Sequence, residues 1–177
     1  MFISRYFKLI YVVFSASFFA LFFTSCTTYF SNNFAPQTLE EKKIQATRNI
    51  QVIKDNKVQT MFFATFLNDI EHRFYRNLLY FFVEITDANY EKINLSRFAF
   101  DIKDKEGKKH TPNYIKEISQ QEFDEIFAPV NKWSQCYLIA FDKSKYIDEK
   151  NLRLEVLIDD ESYELDFSFY VLPFSII

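Results

Sequence analysis

Along most of the chain beyond residue 47, apolar and polar positions alternate with a period of two. In LLYFFVEIT, Leu79, Phe81, Val83 and Ile85 share one face, while Glu84 and Thr86 lie on the other. In RFAFDIK, Phe98, Phe100 and Ile102 alternate with Arg97, Ala99, Asp101 and Lys103. Leu152, Leu154, Val156 and Ile158 repeat the pattern, as do Tyr163, Leu165, Phe167, Phe169 and Val171. Such alternation predicts antiparallel strands that cover a core from one side. Less regular stretches at residues 50–54, 58–67, 110–115 and 133–141 bring the total to seven or eight strands. Strands at such short intervals predict an all-β fold, an immunoglobulin-like antiparallel β-sandwich.

Short-range signals punctuate this pattern. Thr38 and Glu41 have capping-box spacing, which predicts a short helix from Leu39 to about Ala46. Ser119 and Glu122 have the same spacing and predict a helical turn or two. Asp55-Asn56 separates two strands as a tight hairpin turn would. Gly107, the one glycine of the chain, falls in DIKDKEGKKH between two strands. A hairpin turn with a residue at positive φ explains it, because other residues meet a steric cost there. A calcium loop does not, since its first ligand would be Ile102, which offers no side-chain oxygen.

Residues 78–112, LLYFFVEITDANYEKINLSRFAFDIKDKEGKKHTP, resemble the telokin-like, immunoglobulin-type domains of uncharacterised bacterial extracytoplasmic lipoproteins. Those domains pair a hydrophobic strand, a short polar link and a strand ending in an Asp-x-x-Gly-Lys turn. Asp87-Ala88-Asn89 stands here where that family usually has Asn-Asn-Gly. The resemblance implies a fold and carries no catalytic residues to this chain.

The first 25 residues break the alternation. MFISRYFK carries Arg5 and Lys8 and no acid, and an uncharged, mostly apolar run follows over residues 9–23. A positive segment, a short apolar segment and small residues before a cut describe a secretory signal. A membrane-spanning helix wants about 20 apolar residues, and this run fades sooner into TTYFSNN. Phe23-Thr24-Ser25-Cys26 resembles the lipobox of bacterial lipoprotein precursors, with Phe23 in place of the usual Leu. The resemblance implies cleavage before Cys26 and a diacylglyceryl group on its sulfur. One acyl chain binds a bilayer marginally, whereas two or three make a durable anchor. Thr27 stands where Asp would retain many such proteins in the inner membrane, so the resemblance implies the periplasmic face of the outer membrane. The expected organisation is a signal peptide over 1–25, a lipidated N-terminus and tether over 26–48, and a β-sandwich over 49–177.

Composition narrows the function classes. Aromatic residues make up 20% of the chain, which argues against disorder. Without residues 1–25 the chain holds 24 acids against 19 bases and no basic stripe, so nucleic acid is not an expected partner. A single glycine removes the glycine-rich loops that cradle phosphates. His72 and His110 are far apart, and no His/Cys cluster has metal-ligand spacing. Cys136 lies in a strand as a small hydrophobe would. The acids at Glu122, Asp124 and Glu125, and at Asp159, Asp160 and Glu161, read as solvated turns. No catalytic residue, cofactor or metal is expected.

One feature points to a partner. Tyr80 and Phe82 share a strand face with Glu84, and Tyr170 shares one with Asp166. Exposed aromatic residues mark contact surfaces; a helix or loop covering that sheet is the competing account. The sequence therefore predicts a lipid-anchored envelope protein that binds or scaffolds another envelope component, membrane-held through Cys26. A binder of a small apolar molecule between the sheets, and an enzyme of unfamiliar type, are the rivals.

Overall fold

Strand pairing starts at a two-residue turn, Asp55-Asn56, where both residues have positive φ, 52° and 57°. Positive φ at both central positions is the type I′ geometry, whose twist matches that of the flanking strands. The turn joins β1 (Thr47–Lys54) to β2 (Lys57–Phe66). Asp159-Asp160 repeats the device, at 48° and 69°, between β8 (Arg153–Ile158) and β9 (Glu161–Asp166). The computed structural model describes residues 38–71, 78–89 and 91–168, all within one folded unit.

The remaining strands are β3 (Leu78–Asp87), β4 (Phe98–Lys103), β5 (Lys109–His110), β6 (Tyr114–Ile118) and β7 (Gln135–Asp142). All pairings are antiparallel, in a five-stranded sheet β1-β2-β3-β7-β6 and a four-stranded sheet β5-β4-β8-β9. The order β2-β3-β7-β6 against β5-β4-β8-β9 is that of strands A-B-E-D against C′-C-F-G in an immunoglobulin-type sandwich. β1 adds an edge strand beside β2. The fold is thus an all-β sandwich, with nine strands among the described residues.

The predicted inner faces meet in one core. Leu79, Phe81, Val83 and Ile85 pack with Phe98, Phe100, Ile102, Leu154, Val156 and Ile158, all buried. Phe81 forms edge-on contacts with Phe141 and Phe167, at 5.8 and 5.2 Å between centroids. Aromatic pairs in this geometry add about 0.5–1.5 kcal/mol beyond area burial. The two inner faces thus pack against each other through buried side chains.

Residues 110–115 depart from expectation. They do not form one strand: β5 ends at His110 in one sheet and β6 begins at Tyr114 in the other. Pro112, which has no N–H for a ladder, lies in the crossing. This split accounts for the count of nine. β1 begins at Thr47, two residues before the expected domain boundary. Gly107 has φ 81° in the β4–β5 turn, as predicted. Asp104 organises that turn: Oδ1 accepts the amides of Glu106 and Lys108, and Oδ2 lies 2.8 Å from His110 Nε2.

Two short helices complete the described fold. α1 (Leu39–Ala46) carries the predicted capping box, with the Glu41 amide donating to Thr38 Oγ1 and the Thr38 amide to the Glu41 carboxylate. α2 (Leu67–Ile70) follows β2 directly, and its Asn68 side chain bonds the backbone of Leu78 and Tyr80.

Candidate functional site

The face of β3 that carries Tyr80, Phe82, Glu84 and Thr86 is not open to water. Phe82 is fully buried, and Glu84 and Thr86 are buried with it. A second apolar layer covers them, formed by Leu39 and Ala46 of α1, Leu67 and Ile70 of α2, and Phe123, Ile126 and Phe127 of the segment 119–134. Phe82 and Phe127 lie 5.6 Å apart between ring centroids. Leaving such a ring in water forfeits about 1.5–3 kcal/mol, which is why the sheet recruits a cover. The expected contact surface is therefore corrected: Phe82 is a core residue, Tyr80 is half-buried, and Tyr170 lies outside the described residues. Cys26 and His72 also lie outside them.

The cover is tied down by two charges. The Lys43 ammonium donates to the carbonyls of Glu125 and Ala128, at 3.2 and 3.0 Å, joining α1 to the covering segment. The Glu84 carboxylate reaches up from the sheet and accepts the Val130 amide at 2.7 Å. Burial pushes the Glu84 carboxyl above its ordinary value, opposed by the amides of Val130 and Asn131 and by Lys43. Burial pulls Lys43 below its own, opposed by Glu84, Asp124 and Glu40. The pair thus holds helix, segment and sheet together from beneath.

Cover and sheet do not meet everywhere. Between α1 and residues 125–130 an open groove of about 850 Å³ runs over the outer face of β1 and β2. Its floor is Phe63, Thr65, Asn49 and Glu84, and its apolar walls include Leu39, Ile44, Ala128 and Val130. Ile44 and Val130 are 68% and 73% exposed, unusual for large apolar side chains beside a cavity. The groove's cations are committed to carbonyls, Lys43 as above and Arg48 to Gln45, Thr47 and Asp166.

Several of the other candidate groups have structural partners. Cys136 is buried under the cover, with its thiol pushed up to about 12 by burial and by Glu84. Glu122 closes a capping box with Ser119 and pairs with Lys116, and Asp124 Oδ1 accepts the amides of Ile126 and Phe127. Asp159 receives Arg97, with Nε donating to Oδ1 at 2.7 Å. Among the described residues no group of three His, Cys, Asp or Glu side chains is arranged to hold a metal ion.

Sequence reasoning missed the groove because its walls come from a helix and a segment without periodicity. One signal was present. Glu84 is the lone charge in the run LLYFFVEIT, and an isolated carboxylate there needs a buried partner. The arrangement defines a β-sandwich with a covered outer face and an apolar groove. No protein-family model, curated protein or solved structure matches this chain.

Proposed function

We propose that this chain is a lipoprotein of a bacterial cell envelope, held in the membrane by acyl chains on Cys26 and facing the periplasm from the outer membrane. Its sandwich binds another envelope component through the outer face of the five-stranded sheet, at the groove beside α1. The observation that carries this reading is the apolar groove of about 850 Å³ with Ile44 and Val130 exposed at its walls. Ligand pockets range over about 300–1,000 Å³, so the same volume also supports the rival reading of a small apolar ligand, now outside the sheets. No reaction is assigned, because Glu84, the buried carboxylate of the groove, is engaged by backbone amides.

Two measurements test the reading. Cys26→Ser removes the acceptor thiol and is expected to leave an uncleaved precursor that takes up no fed palmitate; a mature N-terminus other than acylated Cys26 overturns the anchor. Photo-crosslinking residues at positions 44 and 130 are expected to give adducts in the envelope, and one at Leu157 on the opposite sheet none. Equal adducts at all three positions would refute the groove.

A further inference from the structure

The two outer faces of the sandwich differ in kind. On the four-stranded sheet, Lys103 and Lys109 pair with Glu155, and Arg153 pairs with Glu164. This is a charged lattice suited to water. Over the five-stranded sheet lies the apolar cover, from which Ile44, Val130 and Trp133 project at 68%, 73% and 58% exposure. Ile44 and Val130 flank one groove, and Trp133 follows Val130 by three residues, with the Lys132 ammonium 5.0 Å from its ring centroid. Tryptophan is enriched at the headgroup level of a bilayer, where lysine can also lay its stem on apolar surface and keep its ammonium in water.

On the lipid-anchored reading, chain connectivity limits how far this face can lie from the bilayer. Thr38, the N-cap of α1, lines the groove, and it stands twelve residues along the chain from Cys26. Twelve residues span at most about 40 Å even when fully extended. A link of so few residues keeps its two ends at a high effective concentration, so a patch too small to bind alone is enough to dock.

From these observations we infer that the envelope component met by this face is the phospholipid surface itself, with Ile44, Val130 and Trp133 inserted at headgroup depth and the charged sheet turned to the periplasm. The inference rests on the lipid-anchored reading of Cys26. Contact is apolar and aromatic in origin: Glu40 and Glu125 border the groove, and its two cations are bound to carbonyls. The three carboxylates Glu40, Glu84 and Glu125 offset the three cations Lys43, Arg48 and Lys132 on this face, so anionic lipid is expected to add little to the contact. The lipid anchor supplies the affinity, and the patch supplies the orientation.

Trp133 is the only tryptophan of the chain, so it reports on itself. The mature lipidated protein is reconstituted into vesicles of phosphatidylethanolamine and phosphatidylcholine with brominated acyl chains. Trp133 emission is expected to be quenched at least about twofold relative to unbrominated vesicles, as for a ring at the interface. Ile44→Asp and Val130→Asp, both at exposed positions, are each expected to relieve the quenching while the protein still floats with the vesicles. Adding phosphatidylglycerol is expected to leave the quenching unchanged. Flotation without quenching overturns the surface contact and leaves the anchor standing. Quenching that persists in both variants also overturns it, since the tether alone then explains proximity. Loss of flotation, with no acyl group on Cys26, overturns the anchored reading and the inference together. Shielding of Trp133 from iodide only when envelope proteins are added makes the occupant a protein and overturns the lipid contact.

Discussion

Glu84 and Cys136 stand directly opposite each other on β3 and β7, both buried, Cys136 beneath the cover and Glu84 at its edge on the groove floor. A carboxylate beside a buried thiol disfavours the thiolate twice, through desolvation and through like charge. The result is a cysteine pushed up to about 12, inert as long as the cover stays in place.

Alkylation should therefore report on the cover. Iodoacetamide is expected to modify Cys136 slowly in the folded protein and rapidly in urea, because only the thiolate reacts. Rapid labelling under native conditions would mean that the cover opens without unfolding.

Glu84 should leave a mark on the pH dependence of stability. Its folded pKa is raised above its unfolded one, so the folded state binds more protons between the two values. Stability from this group is greatest below the unfolded pKa and falls as pH rises through the folded pKa. Glu84→Gln removes the titration and keeps an oxygen for the Val130 amide. Urea midpoints of the variant and the parent are expected to diverge in favour of the variant as pH rises through that window. Parallel curves would show that Glu84 is not desolvated.

Asp159 should act in the opposite sense. Arg97 holds its carboxyl at about 2, below the ordinary value of 3.8. A depressed pKa contributes stability above the unfolded value, and that contribution is lost as pH falls from about 4 through about 2. The Arg97 side chain is 38% exposed, so screening limits the pair to about 0.5–1 kcal/mol. Arg97→Ala is expected to cost that amount at pH 7 and nearly nothing at pH 2, measured by denaturant unfolding.

Gly107 separates backbone strain from packing. A Cβ placed there meets nothing within 4 Å, so any cost of substitution arises from φ 81° alone. Gly107→Val is expected to destabilise the domain by about 1 kcal/mol or more, and Gly107→Asn by less, since Asn tolerates positive φ. An unchanged unfolding midpoint for the valine variant would contradict the turn.

Local patterns carried most of the fold. The alternating apolar residues of β3, β4, β8 and β9 placed the inner faces, and the Thr38–Glu41 spacing placed α1, because each signal is complete within a few residues. What failed was non-local. Tyr80 and Phe82 read as outward because they alternate with core residues, yet Phe82 is buried by Phe127, 45 residues away in sequence. Nothing in the irregular run 119–134 announces that it will lie over β3. The strand expected across Pro112 failed for a related reason: which sheet a residue joins is decided by partners, Ile102 for His110 and Ala140 for Tyr114. The groove inherits both difficulties, since its walls belong to the cover.

Arg48 ties β1 to the end of β9, its Nε donating to the carbonyl of Asp166 across 118 positions of sequence while its guanidinium lies over the Phe167 ring. That clasp cannot close until β9 has arrived. Contacts of such long sequence separation slow folding, because loop closure precedes any reward from them. Completion of this edge of the sandwich is consequently expected to come late, once β9 is available to pair. On the proposed reading, in which the chain crosses a membrane before it folds, slowness of this kind would keep the polypeptide threadable until β9 has passed.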